Sequence, residues 1–426
     1  MLKFVKYLPE SGWEPIVLTV EDGDFPARDE SLLNEIPPGI KVYRTKIFEP
    51  YSHYRKMTKK EKDTPLDVNN LVKSKSKKSI SEKLAEFIRA TFFIPDARRG
   101  WLKYAVREGK KIIAEEKPDI IFSSSPPYTC ALIAMELKKY SEKSGKKIPW
   151  VSDFRDAWTG YPSTPKRWFI PSIIDKSYEK KTLANADVIT IVAEGITEDF
   201  SQKYPSISNN KKYVLIRNGY DIDDYFHVKY EKKKNEKFTL VYTGSLYGTN
   251  LIFLIDTVSE LVNEGKINKN KIKFILIGRL EGKLVNYINS SQLKDVIELI
   301  PYVPHSEGVN YLMKADVMLL LIEEDRFSDM RISGKLFEYL GAGAITQKPI
   351  LAIAGKEAAD LIKEASAGET IPYRDKEKLR AVFLKFYNSI FENNNSIPVN
   401  TEVIKQYERT LLTKKLADVF NLSKEK

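Results

Sequence analysis

Three short stretches of the chain carry side chains whose types and spacing could do chemistry, and each sits beside an apolar run that reads as a strand or a helix. The first is Asp153-Phe154-Arg155-Asp156-Ala157-Trp158, in which two carboxylates flank an arginine. Such a group either closes into an Asp–Arg pair capping the next helix, with Trp158 in the core, or orients hydroxyls and supports charge at a reacting centre. The second is Ser333-Gly334-Lys335-Leu336-Phe337-Glu338. Ser333 and Gly334 open the backbone at a helix start, where unpaired N–H groups and the helix dipole attract a phosphate. Lys335 adds positive charge there, and Glu338, one turn on, is within reach of a ribose diol attached to that phosphate. The plainer reading is an N-cap with Glu338 on a solvated face. The third is a pair of small-residue turns, Thr243-Gly244-Ser245 and Gly278-Arg279, which suit close approach of a diphosphate. Arg279 is either a neutralising group for a leaving diphosphate or a surface residue.

Other chemistries find little support. His53, His227 and His305 are not spaced as metal ligands, and no metal is expected. Asp221-Ile222-Asp223 belongs to the turn that starts at Asn218-Gly219 and reads as a turn-builder. The single cysteine, Cys130, excludes an internal disulfide and a thiolate cluster, and its place in a helix suits a small buried hydrophobe. Neither a Gly-x-Ser-x-Gly elbow nor a Walker loop occurs.

The elements that must position these groups alternate along the chain. Leu2–Leu8 has Phe4, Val5 and Leu8 on one helical face, and Pro15–Val20 and Lys41–Lys46 read as strands. Residues 47–95 are polar and lysine-rich, an insertion with some helix near Lys83–Phe92. Strands are then expected at Asp119–Ser124, Ile148–Asp153, Val188–Val192 and Tyr213–Ile216, with helices at Trp101–Glu116, Tyr128–Ser144 and Ser172–Ala184. Past the 217–236 joint the pattern restarts, with strands at Thr239–Tyr242, Phe274–Ile277, Val296–Leu299, Val317–Leu321 and Pro349–Ile353. Its helices are Leu251–Asn263, Glu307–Met313, Lys335–Gly341, Lys376–Phe391 and Thr401–Phe420. Such alternation is the signature of parallel sheets wrapped by helices, so the expected class is α/β with two doubly wound, Rossmann-like halves. Ligands of open α/β sheets bind beyond the carboxyl ends of the strands, which is where the three stretches are sought.

Composition sets the bounds. A chain of 426 residues with 42% hydrophobic and 30% charged residues is globular, and its length suits two or three domains. No apolar run approaches the ~18 residues of a membrane span, and the opening residues lack the apolar region of a signal peptide, so a cytoplasmic place is expected. Lys and Arg number 69 against 58 Asp and Glu, a surplus of +11. The lysine clusters Lys73–Lys78, Lys211–Lys212 and Lys232–Lys234 have no interleaved aromatics, which argues against nucleic acid. They are either solvated faces or points of attraction for anionic headgroups, a peripheral contact at the inner face of the plasma membrane.

Several segments together carry a family resemblance: RRGWLKYA, PDIIFSSSPP, IPWVSDFRDAW, ADVITIVAEG, IRNGYD, YTGSLYG, VPHSEG and GKLFEYLGAG. In this order they resemble bacterial glycosyltransferase family 4-like proteins of the GT-B fold, with the surface-polysaccharide, capsule and lipopolysaccharide enzymes most similar. The resemblance implies two Rossmann-like domains facing a cleft, 1–217 for the acceptor and 218–398 for a nucleotide-diphosphate-sugar donor, and a last helix in 399–426 packing back toward the first domain. It implies sugar transfer to a lipid-linked or polysaccharide acceptor with retained configuration and without metal or cofactor. By motif position Glu338 would bind the ribose, and Gly244, Ser245, Arg279, Ser333, Gly334 and Lys335 the diphosphate. Asp153, Arg155 and Asp156 would position the reacting hydroxyl, with Ser124, Ser125 and Trp158 on the acceptor side. A nucleotide-sugar epimerase of the same architecture, or a weak or inactive paralogue acting as a scaffold, are the alternatives. Some positions depart from the family pattern. Met330 stands where relatives have the first of two glutamates, TGSLYGTN lacks an Arg…Lys pair, and Arg155 replaces a histidine. The chain opens inside a helix, so its first domain is expected to lack an opening strand and a glycine-rich loop.

Overall fold

The computed structural model describes residues 1–23, 29–48, 87–162, 164–226, 235–393 and 397–425. Two compact units emerge, Met1–Ile216 together with Thr413–Lys426, and Arg217–Leu412. The lysine clusters at 73–78 and 232–234, His53, His227 and most of the 47–95 insertion lie outside the described residues; its 87–92 portion is helical.

In the first unit β1 (Ile16–Val20) and β2 (Lys41–Thr45) form a parallel pair. A separate parallel sheet runs β3 (Ile121–Ser125), β4 (Trp150–Phe154), β5 (Val188–Ile191) and β6 (Lys212–Leu215) in that order. No ladder joins the two sets among the described residues. Every residue of β4 is buried, as its apolar run foretells for a strand with neighbours on both edges and cover on both faces. Helix Leu102–Glu116 buries Ala105, Gly109, Ile112 and Ile113, the spacing of one helical face. Gly109 lets it close on helix Thr129–Lys143: a Cβ there would stand 2.6 Å from Cδ1 of Leu137. The end of the last helix, Arg409–Lys424, also belongs to this unit. Phe420 meets Phe122 and Trp13 edge-on at 5.4 and 5.2 Å, and Trp13 Nε1 donates to Asn421 at 3.1 Å.

The second unit is one six-stranded parallel sheet. Its strands are β7 (Phe238–Thr243), β8 (Ile272–Ile277), β9 (Ile297–Ile300), β10 (Val317–Leu321), β11 (Ile350–Ile353) and β12 (Gly368–Ile371). Their order is β12-β11-β10-β7-β8-β9. The chain runs outward from β7 through β8 and β9, then returns to β10 on the other flank. The strand order therefore reverses between β7 and β10, where α/β sheets form their ligand crevice. Two apolar clusters cover the faces, one around Phe238, Phe274 and Phe383, the other around Leu336, Phe337 and Tyr339.

Differences from expectation are local. Helix Glu194–Lys203 was not expected, because only Gly195, Ile196 and Phe200 of its residues are buried and the periodic signal is thin. The helices Gly282–Ser290 and Lys356–Glu364 and strand β12 are likewise additions. The expected Lys376–Phe391 helix turns into a wider π-turn at Tyr387–Glu392. The expected Thr401–Phe420 helix breaks between Thr401–Lys405 and Arg409–Lys424. There Tyr220 donates its N–H to Tyr407 O at 3.1 Å and accepts from Arg409 N at 2.8 Å.

Candidate functional site

At the end of β7 the backbone passes through Gly244 with φ 107°, and at the end of β8 through Gly278 with φ 116°, a region that disfavours side chains. The two turns press together. A Cβ on Gly278 would lie 2.6 Å from the Gly244 carbonyl oxygen, and one on Gly244 would lie 2.3 Å from Cε of Lys335. Helix Gly334–Thr346 aims its first turn at this place, with Ser333 as N-cap accepting from Lys335 N at 3.3 Å. The Lys335 ammonium lies 4.6 Å from the centre of the Tyr242 ring, donates to the Tyr242 hydroxyl at 2.7 Å and reaches Ser245 O at 3.4 Å. Burial pushes its pKa below the ordinary lysine value.

Glu338 is not on a solvated face. Burial raises its carboxyl pKa, and Asp224 raises it further, while His305 and Lys335 pull the other way. His305 Nε2 and Asp224 Oδ2 are 3.0 Å apart. Tyr225 donates its hydroxyl to the Glu338 carbonyl at 2.7 Å, and the neighbouring Tyr339 hydroxyl accepts from Thr243 N at 3.0 Å. Lys335, Glu338 and both glycine turns thus stand at one end of the sheet, where it reverses. Arg279 is half-buried in the β8 turn, its carbonyl accepting from Leu246 N at 2.8 Å, and Ser245 is exposed. Met330 is half-buried in a one-turn helix, Ser328–Met330.

The first unit gathers its candidates at the ends of β3 and β4. Asp153 is fully buried and accepts from Thr190 Oγ1, Ser124 Oγ and Arg155 Nε, each at 2.7 Å. Arg155 also donates to Ile216 O at 3.2 Å, and its guanidinium carbon stands 5.2 Å from the centre of the Phe4 ring. Asp153 is therefore committed to holding Arg155 and has no surface to offer a substrate, while Ser124, which bonds Asp153, is half-buried. Asp156 is half-buried, and Ser125 is fully buried, its hydroxyl without a partner among the described residues. Trp158, expected on the acceptor side, is a core residue instead. It is fully buried, stacks on Tyr128 at 4.5 Å and donates Nε1 to Asp175 at 2.9 Å.

Sequence reading missed what surrounds these groups. Asp175 pairs with Arg167 at 2.7 Å, and Glu179 accepts from Thr159 N at 2.9 Å, Tyr204 OH at 2.8 Å and Lys203 at 3.4 Å. Burial raises both carboxyl pKa values. Two carboxylates four apart on one helix were the available signal. The Cys130 thiol is pushed up to about 12 by burial, which suits an inert residue.

Two Rossmann-like units of this kind, the second closing its strand ends on a lysine-bearing helix start, define the GT-B fold. Residues 72–224 match the family model of Glycosyltransferase Family 4. Among solved structures, a glycosyltransferase from Rickettsia africae aligns at 14% identity and TM-score 0.60, over 99% of this chain and 93% of that one. Sucrose-phosphate synthase from Thermosynechococcus elongatus aligns at 11% identity and TM-score 0.57, over 99% and 91%. Anabaena HepE in complex with UDP aligns at 12% identity and TM-score 0.53, over 74% and 82%. No curated protein sequence matches the chain. The chain has the GT-B fold, and its residues 72–224 are similar to Glycosyltransferase Family 4. No helix among its described residues is long and apolar enough to cross a membrane.

Proposed function

We propose that the protein transfers a sugar from a nucleotide-diphosphate sugar to a lipid-linked or polysaccharide acceptor, on the cytoplasmic side, in the assembly of cell-surface polysaccharide. The observation that carries this reading is the desolvated Lys335 ammonium at the first turn of helix Gly334–Thr346, beside the two glycine turns. A diphosphate laid against Gly244 and Gly278 meets that charge and the positive end of the helix. Charge grows on the departing diphosphate as the sugar–oxygen bond breaks, so these groups act most strongly on the transition state. The acceptor oxygen attacks from the face the diphosphate leaves, its proton passes to the diphosphate, and configuration is retained. Lys335 and the helix start supply the positive charge, with no metal in the scheme. Glu338 accepts from the ribose hydroxyls, Ser245 and Arg279 flank the diphosphate, and Arg155 and Asp156 position the acceptor hydroxyl. The binding of UDP by Anabaena HepE supports a nucleotide donor. A second reading, a donor-binding scaffold without transfer, is favoured by Met330, which cannot replace a carboxylate.

A thermal-shift screen against UDP, GDP, CMP and their sugar conjugates tests the donor site. A ligand at a hundred times its dissociation constant stabilises a fold by about 2.7 kcal/mol. A base-selective shift that Glu338→Ala removes is expected, and no shift with any nucleotide in a cooperatively melting chain overturns the proposal. Transfer of label from the selected donor to a lipid or polysaccharide fraction then separates enzyme from scaffold.

A further inference from the structure

Helix Phe169–Asn185 is amphipathic in reverse. Its inward side carries Asp175, Glu179 and Thr182 beside Pro171 and Leu183, all buried, while Phe169, Ile170 and Ile173 face outward at 77%, 54% and 52% exposure. A helix on a globular surface ordinarily puts such residues the other way round. Further along, the same outward side carries Lys176, Lys180 and Lys181, all exposed. Both carboxylates of the helix are turned inward, so its exposed side has three ammonium groups and no acid.

The apolar patch extends beyond the helix. Trp168 is exposed, stacks on exposed Phe87 at 6.4 Å and donates Nε1 to Thr91 at 2.9 Å; Phe92, next to Thr91 in the chain, is 69% exposed. Arg167 fixes this neighbour through the carbonyls of Ala90, Phe93 and Pro95 at 2.7, 3.0 and 2.6 Å. The patch is thus a built surface, held from beneath by the Arg167–Asp175 pair at 2.7 Å. Contiguous apolar surface of this kind, rimmed by charge, marks a place of contact.

We propose that this face docks on an anionic lipid bilayer. The aromatic and isoleucine side chains enter the boundary between headgroups and acyl chains, and the three lysines meet the lipid phosphates. Charge selects this occupant over a second copy of the chain, which would bring the same lysines to the contact and no exposed acid from this helix to answer them. The inference stands on this face alone and does not depend on the transfer reaction proposed above.

Co-sedimentation of the full chain with vesicles of phosphatidylcholine, with and without 30 mol% phosphatidylglycerol as about a third of the lipid, tests it. Sedimentation with the anionic vesicles is expected. Phe169→Asp with Ile173→Asp should weaken it at least tenfold, and Lys176→Glu with Lys180→Glu and Lys181→Glu should remove the preference for anionic lipid, all with unchanged melting. Quenching by brominated lipid reads the same contact without a variant, because Trp168 is exposed while Trp13 is half-buried and Trp101, Trp150 and Trp158 are buried. A wild-type chain left in the supernatant overturns the proposal, as do Asp variants that bind undiminished or a dimer in sedimentation velocity that the Asp variants dissolve.

Discussion

At the end of β4 the Arg155 guanidinium meets a carboxylate 2.7 Å away, and that carboxylate is itself held by two hydroxyls. At the end of β7 the Lys335 ammonium meets a hydroxyl and a carbonyl, and no carboxylate lies in ion-pair range of it among the described residues. Both cations sit where α/β sheets bind ligands, yet the first is already neutralised and the second is not. A neutralised cation fixes backbone and presents a shaped surface. A desolvated cation without a counter-ion is costly to the folded state and gains most when an anion arrives. On the proposed reading, the β4 cluster takes the positioning role and the helix at Lys335 the anion-binding role.

The strongest way to break this comparison is Asp153→Ala. Removing one partner of a buried pair leaves an uncompensated charge, at a cost of about 3–5 kcal/mol. Urea unfolding should show that loss, with Asp153→Asn milder because an amide oxygen still accepts a hydrogen bond. An Asp153→Ala chain that unfolds like the wild type would mean the carboxylate is not holding Arg155. Gly278→Ala comes next. Its backbone angle alone should cost about 1–2 kcal/mol, and the new methyl meets the Gly244 carbonyl. The expected result is a lower melting temperature together with loss of the nucleotide-induced shift, read in the same thermal scan.

The parts of each site that are close in sequence were legible, and the parts that are far apart were not. Ser333-Gly334-Lys335 announces a helix start because cap, open backbone and charge fall on consecutive residues. The Ile148–Asp153 run announces a buried strand because its apolar residues are continuous, and β4 follows it to Phe154. Trp158 could be read as core or as site, and only the placement of Asp175, 17 residues on, settles it. Thr190, which bonds Asp153, is 37 residues away, and Tyr242, which bonds Lys335, is 93. No local pattern encodes such partners; they are set by which strands lie side by side and which turns meet at the sheet's reversal.

Lys335→Met sharpens the comparison from the other side. Because burial already disfavours the charged form, removing the ammonium should leave the ligand-free protein as stable as the wild type or more so. Nucleotide affinity should fall at least tenfold, about 1.4 kcal/mol, measured by titration calorimetry. Equal affinity in the variant would move anion binding away from this helix.

Glu338→Gln has the smallest expected effect, and its sign depends on pH. In the unfolded chain Glu338 titrates as an ordinary carboxyl; in the folded protein burial raises its pKa. Below the ordinary value the group is neutral in both states and costs nothing. Above the raised value it is ionised in both, and the full cost of the desolvated charge is present. The Glu338 contribution therefore turns unfavourable as pH rises between the two values. The glutamine variant, neutral throughout, should melt above the wild type at pH 8 and lose that advantage toward pH 4. Its nucleotide-induced shift should move oppositely, shrinking most at pH 8, where the carboxylate accepts best from ribose hydroxyls. A stability gain at neutral pH paired with weaker nucleotide binding would show Glu338 to be kept for its ligand at the fold's expense, whereas Asp153 serves the fold directly.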